Sequence, residues 1–282
     1  MPGAVFVNPG SGPDETSVEE LQRLLPAHQV AECDPAELDD HVKRAIADGV
    51  DFVGVAGGDG TIRTVAEQLA ETDVPLLAIP AGTRNHFARD VGTGTIEDAV
   101  RAADGRVIKV DIGRVNGKCF VNNSSIGLYP KIVVRREDHQ RHLPKGIANL
   151  VAGWEQLRRG RRITVEIDGT PYLSWIVFVG NGVYGDGLLD LSDRECLDGN
   201  VLDVRVVRAD RPMARMRVVG AVVLGRLARS PLIVLHHCQA CTINLERASV
   251  EVALDGEVET LTPPLRYESV PLGLHVMVPE QD

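Results

Sequence analysis

Apolar positions over the first 110 residues follow two alternating rhythms. Residues 4–8, 52–56 and 75–79 are nearly continuous apolar runs and predict buried strands. Between them, Val18, Leu21, Leu24 and Leu25, then Leu38, Val42, Ala45 and Ile46, then Ile62, Val65, Ala66 and Leu69 recur at helical spacing. Strands alternating with helices in this way build a doubly wound, mostly parallel, Rossmann-like α/β sheet, which binds ligands at the carboxyl ends of its strands. Three polar turns fall at such ends: Asn8-Pro9-Gly10-Ser11-Gly12, Gly57-Gly58-Asp59-Gly60-Thr61 and Pro80-Ala81-Gly82-Thr83-Arg84-Asn85.

From about residue 107 the pattern changes to short β-rich stretches. Strands are predicted over 108–115, 118–125, 163–167, 173–179, 201–207, 243–245 and 250–254, which indicates a β-sandwich or barrel-like second domain. One helical pattern interrupts it, with Ile147, Leu150, Val151, Trp154 and Leu157 followed by Arg158-Arg159-Gly160-Arg161-Arg162. Together with Lys131, Arg135, Arg136, Arg141 and Lys145 it reads as a membrane-facing element, or as a helix packed on the sheet whose basic end suits its dipole. A chain of 282 residues accommodates two domains. The expected division is 1–112 for an α/β nucleotide-binding domain, 113–270 for the β-rich domain and 271–282 for a segment returning to the first.

Charge refines this division. Residues 1–110 hold 9 Lys+Arg against 19 Asp+Glu and so carry the whole net charge of −10. Residues 131–162 hold 9 basic and 3 acidic side chains, and residues 205–229 hold 7 and 1, so the second half has two basic segments suited to an anionic membrane surface. Aromatic residues make up 4 %, too few for extensive base stacking, and nucleic acid is not expected as a partner. No apolar run reaches the roughly 18 residues that span a bilayer, and the start of the chain lacks the charged and apolar regions of a signal peptide. A cytoplasmic protein, peripheral to the inner membrane face, is expected. Its five cysteines (Cys33, Cys119, Cys196, Cys238 and Cys241) form an odd, scattered set that suits reduced thiols. Edge strands of the β-domain make a homodimer plausible.

The glycine turn at 57–61 carries the most specific chemistry. Glycines allow close backbone approach, and the N–H groups that open the following helix point at an anion, for which phosphate is the natural candidate. A lone carboxylate among such groups would repel phosphate unless it positions a Mg²⁺ ion, so Asp59 points to a nucleotide triphosphate site. A helix-capping turn is the plainer reading of the same five residues.

Taken together, the three turns with Phe87-Ala88-Arg89, then Asp111-Ile112-Gly113, residues 122–127, Gly180-Asn181, Gly185, residues 198–203 and Asp255-Gly256-Glu257 resemble the catalytic domain of the diacylglycerol kinase and sphingosine kinase superfamily, in its bacterial soluble lipid kinase branch. The resemblance spans nearly the whole chain. It implies ATP- and Mg²⁺-dependent transfer of a γ-phosphoryl group to the hydroxyl of a membrane lipid, with a diacylglycerol-type acceptor, in a cleft between the two domains. It also implies that Gly57, Gly58, Gly60 and Thr61 cradle phosphates, that Asn8, Thr83 and Asn85 bind nucleotide or support the turns, and that Asp59 and Asp111 share a catalytic Mg²⁺ network through water. Glu257 is the implied general base. Asp198, with the carbonyls of Glu195 and Asn200, matches a structural Mg²⁺ site, although Asp-Gly-Asn is also ordinary turn chemistry.

One position departs from the pattern. The family usually reads Gly-Thr-x-Asn-Asp-Phe-Ala, and this chain has His86 in place of the aspartate. A neutral histidine accepts a hydrogen bond but adds no negative charge beside a metal. Asp90, one turn further on, substitutes only if the helix presents it inward. Two other readings stand beside the lipid kinase: an NAD kinase-like enzyme, which shares the Gly-Gly-Asp-Gly turn, and a non-catalytic nucleotide or lipid sensor with a weakened metal site.

Overall fold

The computed structural model describes residues 2–8, 17–127, 161–185, 194–214, 217 and 230–280. The expected helix bearing Ile147 to Leu157, the basic residues from Lys131 to Arg159 and the turn at 9–12 lie outside them.

Four parallel strands open the chain. β1 (Ala4–Val7) lies between β2 (Gln29–Glu32) and β3 (Val53–Gly57), and β4 (Leu76–Pro80) pairs with β3 on its far side. Side-chain alternation splits β1 between two cores. Ala4 and Phe6 pack with Leu38, Val42 and Ala45 of α2 (Leu38–Asp48) and with Ile62, Val65, Ala66 and Leu69 of α3 (Asp59–Leu69). Val5 and Val7 pack with Leu21 of α1 (Val18–Leu24) and with Ala99, Ala102 and Ala103 of α5 (Ile96–Ala103). Helices therefore cover both faces, as a doubly wound sheet requires. Local signals set the helix ends. Ser17 accepts a hydrogen bond from Glu20 N at 3.1 Å, Thr95 accepts one from Asp98 N at 3.1 Å, and Gly49 closes α2 in the left-handed region at φ 73°.

The second half is a β-sandwich. β13 (Val250–Leu254), β7 (Asn123–Gly127), β9 (Thr170–Asn181), β8 (Ile163–Ile167), β12 (Ala240–Asn244) and β15 (Leu265–Val278) follow one another in a single path. β10 (Leu202–Arg208) pairs with β9 and carries β11 (Ile233–Cys238) on its other edge. Val165, Val177, Val179, Val204, Ile243 and Tyr267 fill the interior. Two long strands join the halves. β15 pairs antiparallel with β5 (Arg106–Val115) through a register shift between Val270 and Leu274, and beyond that shift Val276 lies opposite Leu76 of β4. Leu272, at φ 51°, sits in the bend.

Several elements differ from the sequence expectation. The stretch at 118–125 is two strands, β6 (Lys118–Phe120) and β7, because the N–H groups of Val121 and Asn122 bond the Asp255 carboxylate instead of a strand neighbour. β2 escapes the pattern because its residues are exposed or only partly buried. β11 and β14 (Glu257–Leu261) are likewise largely exposed, and Pro271 and Gly273 interrupt the pattern of β15. The short helix α4 (His86–Asp90) has too few residues for a period to be legible.

Charged groups also enter the sandwich. Asp203 and Arg205, two apart on β10, form a buried pair at 2.6 Å; Arg205 donates to the Tyr184 and Gly185 carbonyls, and Asp203 accepts from Tyr184 N at 3.1 Å. Asp203→Ala strands the guanidinium in the interior and is expected to destabilise the fold by about 3–5 kcal/mol. Urea unfolding of the variant beside the native chain checks this.

Candidate active site

Strand β3 delivers Gly57 and Gly58 to the start of α3. Gly58 is the N-cap and has no side chain to close the helix; the first helical bond runs from Ile62 N to the Gly58 carbonyl at 3.0 Å. The N–H groups of residues 59–61 are therefore left to an outside acceptor. Around them the backbone is crowded in ways only glycine allows. A Cβ at Gly57 would meet the Thr61 side chain, and one at Gly82 would overlap Gly58 Cα, so the second and third turns touch at their glycines. Asn8 at the end of β1 donates to Thr61 Oγ1 at 3.2 Å, and Asn85 closes its own turn by accepting from Gly82 N and donating to Gly82 O, each at 2.9 Å. Thr83 is exposed on that turn.

Asp59 organises the surroundings. Its carboxylate accepts from His86 N at 3.2 Å and Phe87 N at 3.0 Å, capping α4, and from Asn122 Nδ2 at 3.1 Å, reaching the second sheet. Three acceptor positions of about four on a carboxylate are thus used, and one remains for a cation or water. Phosphate oxygens and one such carboxylate are a common Mg²⁺ environment, and the uncapped α3 terminus among glycines accommodates the phosphates; the residues present fit both groups.

Glu257 comes from the other domain. Leu254 pairs with Glu257 across a two-residue hairpin in which Asp255 (φ 48°) and Gly256 (φ 97°) are both left-handed, the type I′ geometry that Asp-Gly favours. Asp255 anchors that tip: its carboxylate accepts from Val121 N at 2.7 Å, Asn122 N at 2.8 Å and Asn123 N at 2.9 Å. As a result the Glu257 carboxylate lies against Gly60, where an added Cβ would collide with it.

His86 faces a cationic neighbourhood. Its Nδ1 lies 2.9 Å from Arg89 Nη2 and must accept, because a guanidinium can only donate. Burial holds the imidazole below its ordinary pKa, and Arg89, Arg84 and Arg194 reinforce this against the opposing pull of Asp59, so the ring is neutral at pH 7. Asp90 does point inward, but its carboxylate is held by Arg194 at 2.6 Å. Arg194 also donates to the Val121 carbonyl at 2.7 Å and the Asn181 carbonyl at 3.2 Å, which locks α4 to the second sheet.

The remaining sequence candidates make other contacts. Asp111 is buried; Leu272 N donates to it at 2.8 Å and Asn200 N donates to its other oxygen, and no hydrogen bond links it to Asp59. It braces the turn that holds Glu195, Asp198 and Asn200 against the bend of β15. On that turn Asp198 is exposed, the Leu197 carbonyl accepts from Asp111 N at 2.7 Å, and Asn200 Oδ1 is buried without a hydrogen-bond partner. Among the described residues no group of three or more His, Cys, Asp and Glu side chains is arranged to hold a metal. Arg194, Asn122 and the anchoring role of Asp255 were not foreseen; Asn122 and Asp255 fall inside quoted motifs, whereas nothing in the sequence marks Arg194.

Burial raises the Asp255 carboxyl to about 6, outweighing its three N–H donors. A carboxyl raised on folding favours the folded state below its unfolded pKa and gives up that contribution as pH climbs through the folded value. Between pH 4 and 6 Asp255 is therefore expected to remove about 3 kcal/mol of stability from the ligand-free chain. Asp255→Asn should abolish that part of the slope, measured by chemical denaturation across the range.

Residues 2–115 match the diacylglycerol kinase catalytic domain family, and residues 129–278 match the YegS C-terminal NAD kinase beta sandwich-like domain. Over 252 residues, covering 84% of this chain and 79% of the relative, the sequence is 29% identical to a "Probable lipid kinase YegS-like" of Pseudomonas syringae pv. syringae (strain B728a). It is 30% identical over 249 residues, 83% of this chain and 79% of the relative, to a "Diacylglycerol kinase" of Mycobacterium tuberculosis (strain ATCC 25618 / H37Rv). The fold is shared with "a putative diacylglycerol kinase from Bacillus anthracis str. Sterne", with a TM-score of 0.75 at 24% identity over 98% of this chain and 97% of that one. On these matches the chain belongs to the diacylglycerol kinase-like family of lipid kinases.

Proposed function

We propose that the protein transfers the γ-phosphoryl group of ATP, with Mg²⁺, to the hydroxyl of a diacylglycerol-type lipid. The observation that carries this reading is the approach of Glu257, from the second domain, to Gly60 at the open start of α3. The N–H groups of residues 59–61 and the paired glycines at 58 and 82 hold the phosphates, while Asn8 and Asn85 keep the flanking turns in place. Asp59 offers its remaining acceptor position to Mg²⁺, which when bound neutralises charge on the phosphates. Glu257 lies at the rim of the same cradle and is placed to accept the proton of the attacking lipid hydroxyl. The helix terminus and the neighbouring Arg84 and Arg89 favour the triphosphate over the ordinary solvent anion.

Among the described residues no helix is long and apolar enough to cross a membrane. The basic residues of 131–162 and 208–229 suit a bilayer surface, whereas Arg205 is buried beside Asp203 and takes no part. A second reading, a nucleotide or lipid sensor without turnover, is favoured by one observation: a neutral His86 beside Asp59 where a second carboxylate is usual.

Labelled γ-phosphate should appear in diacylglycerol, rather than in a sphingoid base, ceramide or NAD, when these are offered in mixed micelles with ATP and Mg²⁺. Glu257→Gln should lower kcat by about 10²–10⁴-fold. Gly60→Ala, whose methyl group displaces the same carboxylate, should lower kcat while the melting temperature stays near the native value. ATP binding with no transfer to any acceptor would give the sensor reading precedence.

A further inference from the structure

Helix α3 carries Asp59, Arg63 and Glu67 at four-residue intervals, so these side chains share one face. On β14, Glu257 and Glu259 are two apart and share one side of the strand. The two rows meet. Glu257 lies against Gly60, and one turn along the helix Arg63 Nη2 is bonded to the Glu259 carboxylate. The Arg63 side chain is only 7% exposed, its Nε and Nη1 are buried without hydrogen-bond partners, and Glu67 lies 4.0 Å away with Lys118 beyond it at 3.8 Å. Asp255 and Glu257 also contribute to the field at this guanidinium.

The position of β14 makes this contact consequential. Among the described residues β14 pairs only with β13, so the hairpin is an edge held by its ladder on one side. Asp255 fixes its tip to the second domain through residues 121–123. Arg63 is the charged group that fixes it to the first domain. We infer that Arg63 is a positioning residue for phosphoryl transfer: through Glu259 it seats the β13–β14 hairpin against the first turns of α3 and so sets the reach of Glu257. This rests on the assignment of Glu257 as the base. Arg63 never touches the reacting atoms; its contribution is to the alignment of a group that does, and small misplacements of such groups cost rate steeply.

The test compares Arg63→Met, Glu259→Gln and the exchanged pair Arg63→Glu with Glu259→Arg. Amide hydrogen exchange over residues 254–260 is read beside kcat and the KM for ATP, with diacylglycerol micelles as acceptor. Both single variants should speed exchange of the hairpin and lower kcat by about ten- to hundredfold, with the KM for ATP within about threefold of native. The exchanged pair should recover much of the lost kcat. Glu259→Gln, on a partly exposed side chain, keeps the test open if Arg63→Met does not fold. Native exchange and kcat in the single variants overturn the inference, as does a kcat loss matched by an equal rise in KM for ATP, or an exchanged pair no better than either single change. Glu257→Gln separates the two layers of the argument. Full activity there overturns the base assignment and the positioning role with it; inactivity there beside an unaffected Arg63→Met overturns the positioning role alone.

Discussion

One carboxylate connects the parts of this site. Asp59 sits at the first position of α3 and accepts hydrogen bonds from the start of α4 and from Asn122 at the edge of the β-sandwich. The glycine turn at the start of α3, the helix bearing His86 and the second domain are thus referred to a single point. Because these partners are N–H donors, they compensate the negative charge of Asp59 without neutralising it, and one acceptor position is left unused. The carboxylate at the start of α3 and the cap of α4 are therefore the same group.

Buried charge appears repeatedly where the two domains meet. Arg194 holds Asp90, Arg63 holds Glu259, and Asp255 is held by three backbone N–H groups. Desolvating such groups is costly, and apolar contacts of the same size would stabilise an interface as well. What ion pairs and charge-assisted hydrogen bonds add is direction: each fixes one side chain or turn relative to a named partner. Glu257 needs that direction, since it reaches Gly60 from the tip of an edge hairpin. The inward Asp90 also changes the meaning of His86. A carboxylate is present on that face of α4, but Arg194 occupies it, and the residue that donates its backbone N–H to Asp59 carries a neutral imidazole.

Much of this was legible in the residues because the signals are local. Helical spacing places α1, α2 and α3, glycines mark the cradle, and Asp-Gly specifies the hairpin that carries Glu257. The same reasoning fails where tertiary contacts decide. Residues 118–125 read as one strand until Asp255, more than 130 positions away, draws off the N–H groups of Val121 and Asn122. Arg63 is charged, yet its side chain is only 7% exposed because Glu259 of β14 packs on it. The two backbone N–H groups that meet the Asp111 carboxylate, from Asn200 and Leu272, come from positions 89 and 161 residues away that no local pattern links to it. Short or largely exposed elements such as β2, β14 and α4 offer no period to read.

The most direct test of the account is a crystal structure of the full chain with Mg²⁺ and a non-hydrolysable ATP analogue. The γ-phosphate is expected over the N–H groups of residues 59–61, with the metal on Asp59 and the Glu257 carboxylate on the side of the phosphate from which an acceptor hydroxyl would arrive. A nucleotide seated away from the 57–61 turn, or a Glu257 carboxylate withdrawn from the bound phosphate, would contradict it.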